Sequence, residues 1–99
     1  MMLDKLELKQ FKSFVNTHFE VYFEPDKALS AQLVKIEALK GDTDLERSPF
    51  SLIFETDQQD AFYTQGIYKI THPQIEELHL FFVPIGKSEN GMKYEVVFS

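Results

Sequence analysis

Phe50-Ser51-Leu52-Ile53-Phe54, Ile67-Tyr68-Lys69-Ile70, Leu78-His79-Leu80-Phe81-Phe82-Val83 and Tyr94-Glu95-Val96-Val97-Phe98 follow one another closely in the second half of this chain. Each run is short and rich in aromatic or β-branched residues, and turn residues separate the runs, which is the pattern of consecutive β-strands. In the first run Phe50, Leu52 and Phe54 share one face. The fourth ends in alternation, with Tyr94, Val96 and Phe98 turned towards a core. The third is apolar on both faces, with Leu78, Leu80 and Phe82 on one and Phe81, Val83 and Ile85 on the other, which predicts a central or doubly covered strand. Pro84 has no N–H to give to a ladder, so pairing is expected to loosen at that end. Asn90-Gly91 sits in a hairpin loop over 86–91.

Working outward, Phe62 and Tyr63 are expected to pack near the start of the strand over 65–71. Gly66 is expected to mark a bulge or a close approach of backbones, and His72-Pro73 to end that strand. Upstream, Phe19, Val21 and Phe23 alternate, and Glu24-Pro25-Asp26 reads as a turn. Residues 29–39 form a long strand whose alternation changes phase between Leu33 and Val34, which predicts a bulge there. Leu8, Phe11, Phe14 and Val15 repeat at helical spacing, behind a possible capping pair of Asp4 and Glu7. Asn16 suits the left-handed backbone that ends a helix. The expectation is one domain over residues 1–99, mainly β. Its six antiparallel strands form a small barrel or a two-layer sandwich, with one short N-terminal helix over 7–15 as a lid.

Composition narrows the chemistry. The 99 residues are 43% hydrophobic, with ten Phe, four Tyr and no Trp. A chain of this length buries roughly two-thirds of its unfolded surface, enough for one core without a metal or disulfide. There is no Cys, so thiol nucleophiles, disulfides and Cys zinc sites are excluded. The net charge is −6 and both halves are acidic, which leaves no basic surface for nucleic acid or anionic membrane. No stretch reaches the roughly 18 apolar residues of a membrane helix, and the N-terminus lacks the basic and apolar regions of a secretory signal. A cytoplasmic protein is the expectation.

Motifs for catalysis or cofactor binding are weak. His18, His72 and His79 lie on three different elements without ligand spacing; His79 reads as a hydrogen-bonded or half-exposed strand residue and His72 as a strand-end residue. Asp42, Asp44 and Glu46 resemble the start of a calcium loop, but Arg47 and Ile53 stand where its glycine and closing glutamate belong. Glu76-Glu77 reads as a charged turn. No nucleophile elbow, Walker or Rossmann pattern is present. Neither a metal nor another cofactor is expected.

The motifs Ser48-Pro49-Phe50-Ser51-Leu52-Ile53-Phe54, Gln65-Gly66-Ile67-Tyr68, His72-Pro73, Leu80-Phe81-Phe82-Val83-Pro84-Ile85-Gly86 and Gly91-Met92-Lys93-Tyr94-Glu95-Val96-Val97-Phe98 stand in one order. That order resembles a family of small bacterial domains of unknown function, often encoded beside phage-tail-collar-like proteins. Phe11 to Phe19 fits its opening, with Asn16 where the family usually has Gly. The resemblance implies a compact β-domain, accessory to a tail-like or adhesive assembly, and transfers no catalytic residue.

The expected function is therefore a non-enzymatic structural or protein-interaction module, with a tail-collar-like or other bacterial protein as partner. Arg47, Tyr68, His72, Pro84, Asn90 and Glu95 are the candidate contact residues. The sheet edge near Pro84 and the 86–91 loop is the expected contact, by strand addition. Glu95 is read chiefly as structural, paired with Arg47 or Lys93. A small-ligand-binding barrel is the alternative, and a hydrolase using His72 or His79 ranks third.

Overall fold

A computed structural model describes residues 8–38 and 50–98. The capping pair, the acidic loop, Pro49 and Arg47 fall outside the described residues, as does the side chain of Glu76. Six strands are present: β1 (His18–Glu24), β2 (Lys27–Ala38), β3 (Phe50–Glu55), β4 (Gly66–His72), β5 (Ile75–Lys87) and β6 (Met92–Phe98). They close into an antiparallel barrel in the order β1-β2-β3-β6-β5-β4, with β4 returning to β1. The sandwich alternative is set aside, because a sandwich keeps two separate sheets whereas here every strand has a hydrogen-bonded neighbour on both sides.

Alternation fills the inside. Phe19 and Val21 of β1, Leu33 of β2, Leu52 and Phe54 of β3, Ile70 of β4, Phe82 of β5 and Tyr94 of β6 are all fully buried. Ring meets ring across the interior: Phe19 lies edge-on to Phe54 at 5.3 Å, and Phe82 is 5.4 Å from Phe54. Such pairs add about 0.5–1.5 kcal/mol each beyond the area they bury.

The phase change in β2 is a register shift between Leu33 and Lys35. One extra residue there brings Ile36 against the core opposite Leu52, while Ala38, opposite Phe50 at the strand end, is exposed. Pro84 likewise stands at a register shift, between Pro84 and Gly86. Gly66 is not a bulge: its pairing with Phe82 continues regularly into Ile67 with Phe81. Nor do backbones approach closely there: the near neighbour is a side chain, the Tyr68 ring, 3.3 Å from where a Cβ would stand.

Three boundaries differ from expectation. The helix α1 spans only Leu8–Lys12, because Phe14 N–H turns to the Phe11 carbonyl (2.9 Å) and Thr17 N–H to the Phe14 carbonyl (3.0 Å). Asn16 then takes φ 73°, the left-handed stop that was expected. β5 begins at Ile75, directly opposite His72, so Pro73-Gln74 alone make the turn. At its other end the strand extends to Lys87, and Ser88 N–H bonds the Gly91 carbonyl at 2.6 Å, giving a loop of residues 88–91.

Two burial expectations fail. β5 is covered on its inner face only: Phe81 and Ile85 are about half exposed. A barrel whose interior is filled needs no second layer outside, so the outward residues meet solvent. Phe62 is also exposed; its neighbour Tyr63 takes the packing position, stacked on Phe23 at 4.5 Å with the rings 5° from parallel.

Both barrel ends are plugged by aromatics. At one, Phe11 of α1 sits on Phe98 (5.3 Å) and Phe50 (6.0 Å), which stack on each other at 4.8 Å. At the other, Phe23 is surrounded by Tyr63, Tyr68, Phe82 and Tyr94. The Tyr94 hydroxyl accepts from Tyr63 N–H (2.9 Å) and donates to Gln58 Oε1 (2.7 Å). This ties the connection over 57–65 across the mouth. Burial, first among the causes, raises the Tyr94 hydroxyl above its ordinary pKa. The Tyr63 hydroxyl, which donates to Glu24 Oε2 at 2.5 Å, is raised chiefly by that bond.

Candidate functional site

His72 closes β4 where the chain must turn, and the turn explains its ring. Gln74 N–H donates to His72 Nδ1 at 3.0 Å. With Nδ1 accepting, the neutral imidazole carries its proton on Nε2, which therefore donates to Thr17 Oγ1 at 3.1 Å. Thr17 Oγ1–H in turn donates to the Phe14 carbonyl at 2.6 Å. The rings of Phe14 and Phe19 each lie 4.6 Å from the imidazole. Burial lowers the His72 pKa from its ordinary 6.5. The ring thus staples the segment after α1 to the β4–β5 turn.

Outside this staple the barrel wall is concave. A depression of about 440 Å³ is lined by His18, Phe19, Glu20, Ser30, Thr71, His72 and Pro73. A second, of about 200 Å³, is lined by residues that include His18, Ser30, Glu55, Asp57 and Asn90. They share His18 and Ser30, so they form one groove across the outer face of β1 and β2, from His72 at one end to Asn90 at the other. Strand order places the parts: Glu20 pairs with both Ser30 of β2 and Thr71 of β4. Asn90 is held on its loop by Glu55 Oε1 (3.4 Å from Nδ2) and by Gln59 Nε2, which donates to its carbonyl at 2.8 Å. The floor mixes polar and apolar surface, and the acids Glu20, Glu55 and Asp57 line it.

The remaining candidates do not join this groove. Tyr68 points inward, its ring against Phe23 at 4.7 Å and its hydroxyl donating to the Thr64 carbonyl at 2.6 Å, so it is engaged by the barrel itself. Pro84 lies in the β5–β6 ladder opposite Tyr94. Glu95 faces outward between Ile53 and Val83; of its expected partners, Arg47 is outside the described residues and no ion pair joins Glu95 to Lys93. The edge expected near Pro84 is a short one: the sheet closes on itself, but Pro84 to Lys87 pair on the β6 side, whereas β4 reaches no further along β5 than Gly66 opposite Phe82. His79 is exposed and shares a 3.0 Å hydrogen bond with Glu77, as its strand position implied. Sequence reading weighed His18 only as a metal ligand and did not single out Ser30 or Glu20, because only the β1–β2 register brings them to one surface; outward alternation on β1 was the one visible signal for His18 and Glu20.

Among the described residues, no group of three or more His, Asp or Glu side chains is placed to hold a metal ion. No described helix is long and apolar enough to cross a membrane. A family model described as a domain of unknown function, DUF6916, matches residues 6–98. The chain belongs to the DUF6916 family. No curated protein and no solved structure matches it. This DUF6916 domain thus presents an acid-lined groove on a barrel whose interior is filled by its own side chains.

Proposed function

We propose that the domain is a non-enzymatic protein-interaction module that seats a segment of a partner protein in the groove over β1 and β2. The observation that carries this reading is the joining of two depressions through His18 and Ser30, with His72 and Asn90 at the ends. The acids in the groove favour a segment carrying Lys or Arg, by charge complementarity. The family resemblance makes a subunit of a tail-like or tail-collar-like bacterial assembly the first candidate, met in the cytoplasm during assembly. The hydrogen-bonding of His72 supports a structural role over a hydrolytic one: its basic nitrogen is occupied by Gln74 N–H and its N–H faces Thr17, so it cannot take a proton from that hydroxyl. A ligand-binding barrel has less support, since the space it needs is taken up by Phe19, Phe54, Phe82 and Tyr94.

The test is affinity capture from the native host with the wild type and with Ser30→Arg. The reading predicts that a tail- or collar-type subunit co-elutes with the wild type and is lost with the variant. Equal recovery of that subunit by the two forms would refute the groove; recovery of no such subunit would refute the partner.

A further inference from the structure

The chain has two asparagines, Asn16 and Asn90, and only Asn90 precedes a glycine. An asparagine side chain carries an electrophilic carbon, Cγ, within reach of the backbone nitrogen of the next residue. A side chain on that next residue hinders the approach, and glycine has none. Here the fold demands the glycine, since a Cβ on Gly91 would overlap the Thr56 carbonyl oxygen. Packing against the end of β3 therefore keeps a readily closed dipeptide in the 88–91 loop. The two reacting groups are held very differently. The Asn90 side chain is exposed, and its Nδ2–H reaches Glu55 Oε1 at 3.4 Å, longer than a well-made hydrogen bond. Gly91 is buried, and its N–H donates to Ser88 Oγ at 3.0 Å. The same oxygen accepts from Asn90 N–H at 3.2 Å, and Ser88 N–H bonds the Gly91 carbonyl at 2.6 Å. Gln59 Nε2 holds the Asn90 carbonyl at 2.8 Å. The electrophile is free to turn; the nucleophile is not.

We propose that Asn90 is a modification site at which the chain converts its own asparagine to an aspartyl or isoaspartyl residue, and that the Ser88 hydroxyl restrains the rate. The Gly91 nitrogen gives up its proton to solvent and bonds to Asn90 Cγ. The Cγ–Nδ2 bond breaks, and the side-chain nitrogen takes up a proton from solvent and leaves as ammonia. Water then adds to the cyclic imide that remains. Breaking the new bond between the Gly91 nitrogen and Cγ gives aspartate; breaking the original peptide bond to the Asn90 backbone carbon gives isoaspartate. Water is the only co-reactant, and nothing is oxidised or reduced. Before the ring can close, the Gly91 N–H must leave Ser88 Oγ, so the closed loop holds the reaction back. The product carries a carboxylate where an amide faced Glu55. Two like charges repel there, so conversion adds negative charge at the Asn90 end of the groove and removes the side-chain tie between the loop and β3. The chemistry is the same whatever the groove binds.

The test holds the full folded chain at mildly alkaline pH and follows position 90 by peptide mapping with mass spectrometry. The same chain unfolded in urea and the variants Ser88→Ala, Ser88→Thr and Asn90→Gln run beside it, with circular dichroism to confirm that each variant is folded. Converted Asn90 is expected in the folded wild type, forming more slowly than in urea. Ser88→Ala is expected to speed conversion in the folded chain by about two- to tenfold, the worth of one hydrogen bond. Ser88→Thr keeps a hydroxyl and is expected to stay near the wild-type rate. Asn90→Gln, whose longer side chain must close a larger ring, is expected to lose the product. Conversion in the folded wild type as fast as in urea, a Ser88→Ala rate equal to that of the wild type, or no converted Asn90 in any form overturns the proposal. Each of these results leaves the groove reading standing, because capture through Ser30 is a separate measurement.

Discussion

At the scale of single residues, His72 shows how position sets chemistry. Its Nδ1 must stay unprotonated to accept Gln74 N–H, and two phenyl rings flank it. The folded pKa lies below 6.5, so the unfolded chain binds the proton more readily. Stability from this group is therefore complete above pH 6.5 and declines as pH falls from there towards the lowered value. Unfolding free energy measured against pH should fall more steeply below 6.5 in the wild type than in His72→Asn. Direct titration of the imidazole protons by NMR should give a midpoint below 6.5, and a midpoint at or above it contradicts the assignment. The sequence shows that His72-Pro73 ends a strand, because Pro cannot continue a ladder. It does not show the Thr17 bond, which joins residues 55 apart. Asn16 was legible for a local reason: few residues besides Gly and Asn adopt positive φ at low cost.

Among the elements, the β5–β6 hairpin and the end of β3 depend on one close approach. Thr56 N–H and the Met92 carbonyl bond at 2.9 Å, and a Cβ on Gly91 would overlap the Thr56 carbonyl oxygen. Backbone cannot yield as a side-chain tip can. Gly91→Ala should therefore cost about 1–3 kcal/mol or more, as overpacking does, seen as a lower urea midpoint; an unchanged midpoint would show that the hairpin is free to move away. Strands were legible wherever alternation was local, as in β1 and β6, and the β2 bulge was legible as a slip in that alternation. The double-faced apolarity of β5 was misleading for a physical reason. Burial on both faces and a filled barrel with a sticky outer face give the same string of residues, and only closure of the sheet separates them. Phe62 and Tyr63 posed the same difficulty: composition offers two rings for one mouth, and the bond from Tyr63 N–H to Tyr94 decides between them.

For the whole molecule, the account is a division of labour. Aromatic side chains fill the inside and plug both ends, so among the described residues the outer wall is left for recognition, with a groove lined by acids on β1 and β2 and exposed apolar residues on β4, β5 and β6. Strand number and length allowed a barrel or a two-layer sandwich, and the pairing of β4 with β1 is what closes the barrel. The groove was not legible, since its residues come from four strands and three connections, and no run of sequence places His18 beside Asn90. The most direct measurement is site-specific photo-crosslinking in the native host, with the reactive side chain introduced at position 30 in the groove and, separately, at position 97 on the opposite face. The account predicts that position 30 attaches to a Lys- or Arg-bearing segment of a tail- or collar-type subunit, whereas position 97, exposed on β6, does not attach to that subunit. Position 30 yielding no heterologous adduct, while the subunit attaches at position 97 or not at all, would contradict it.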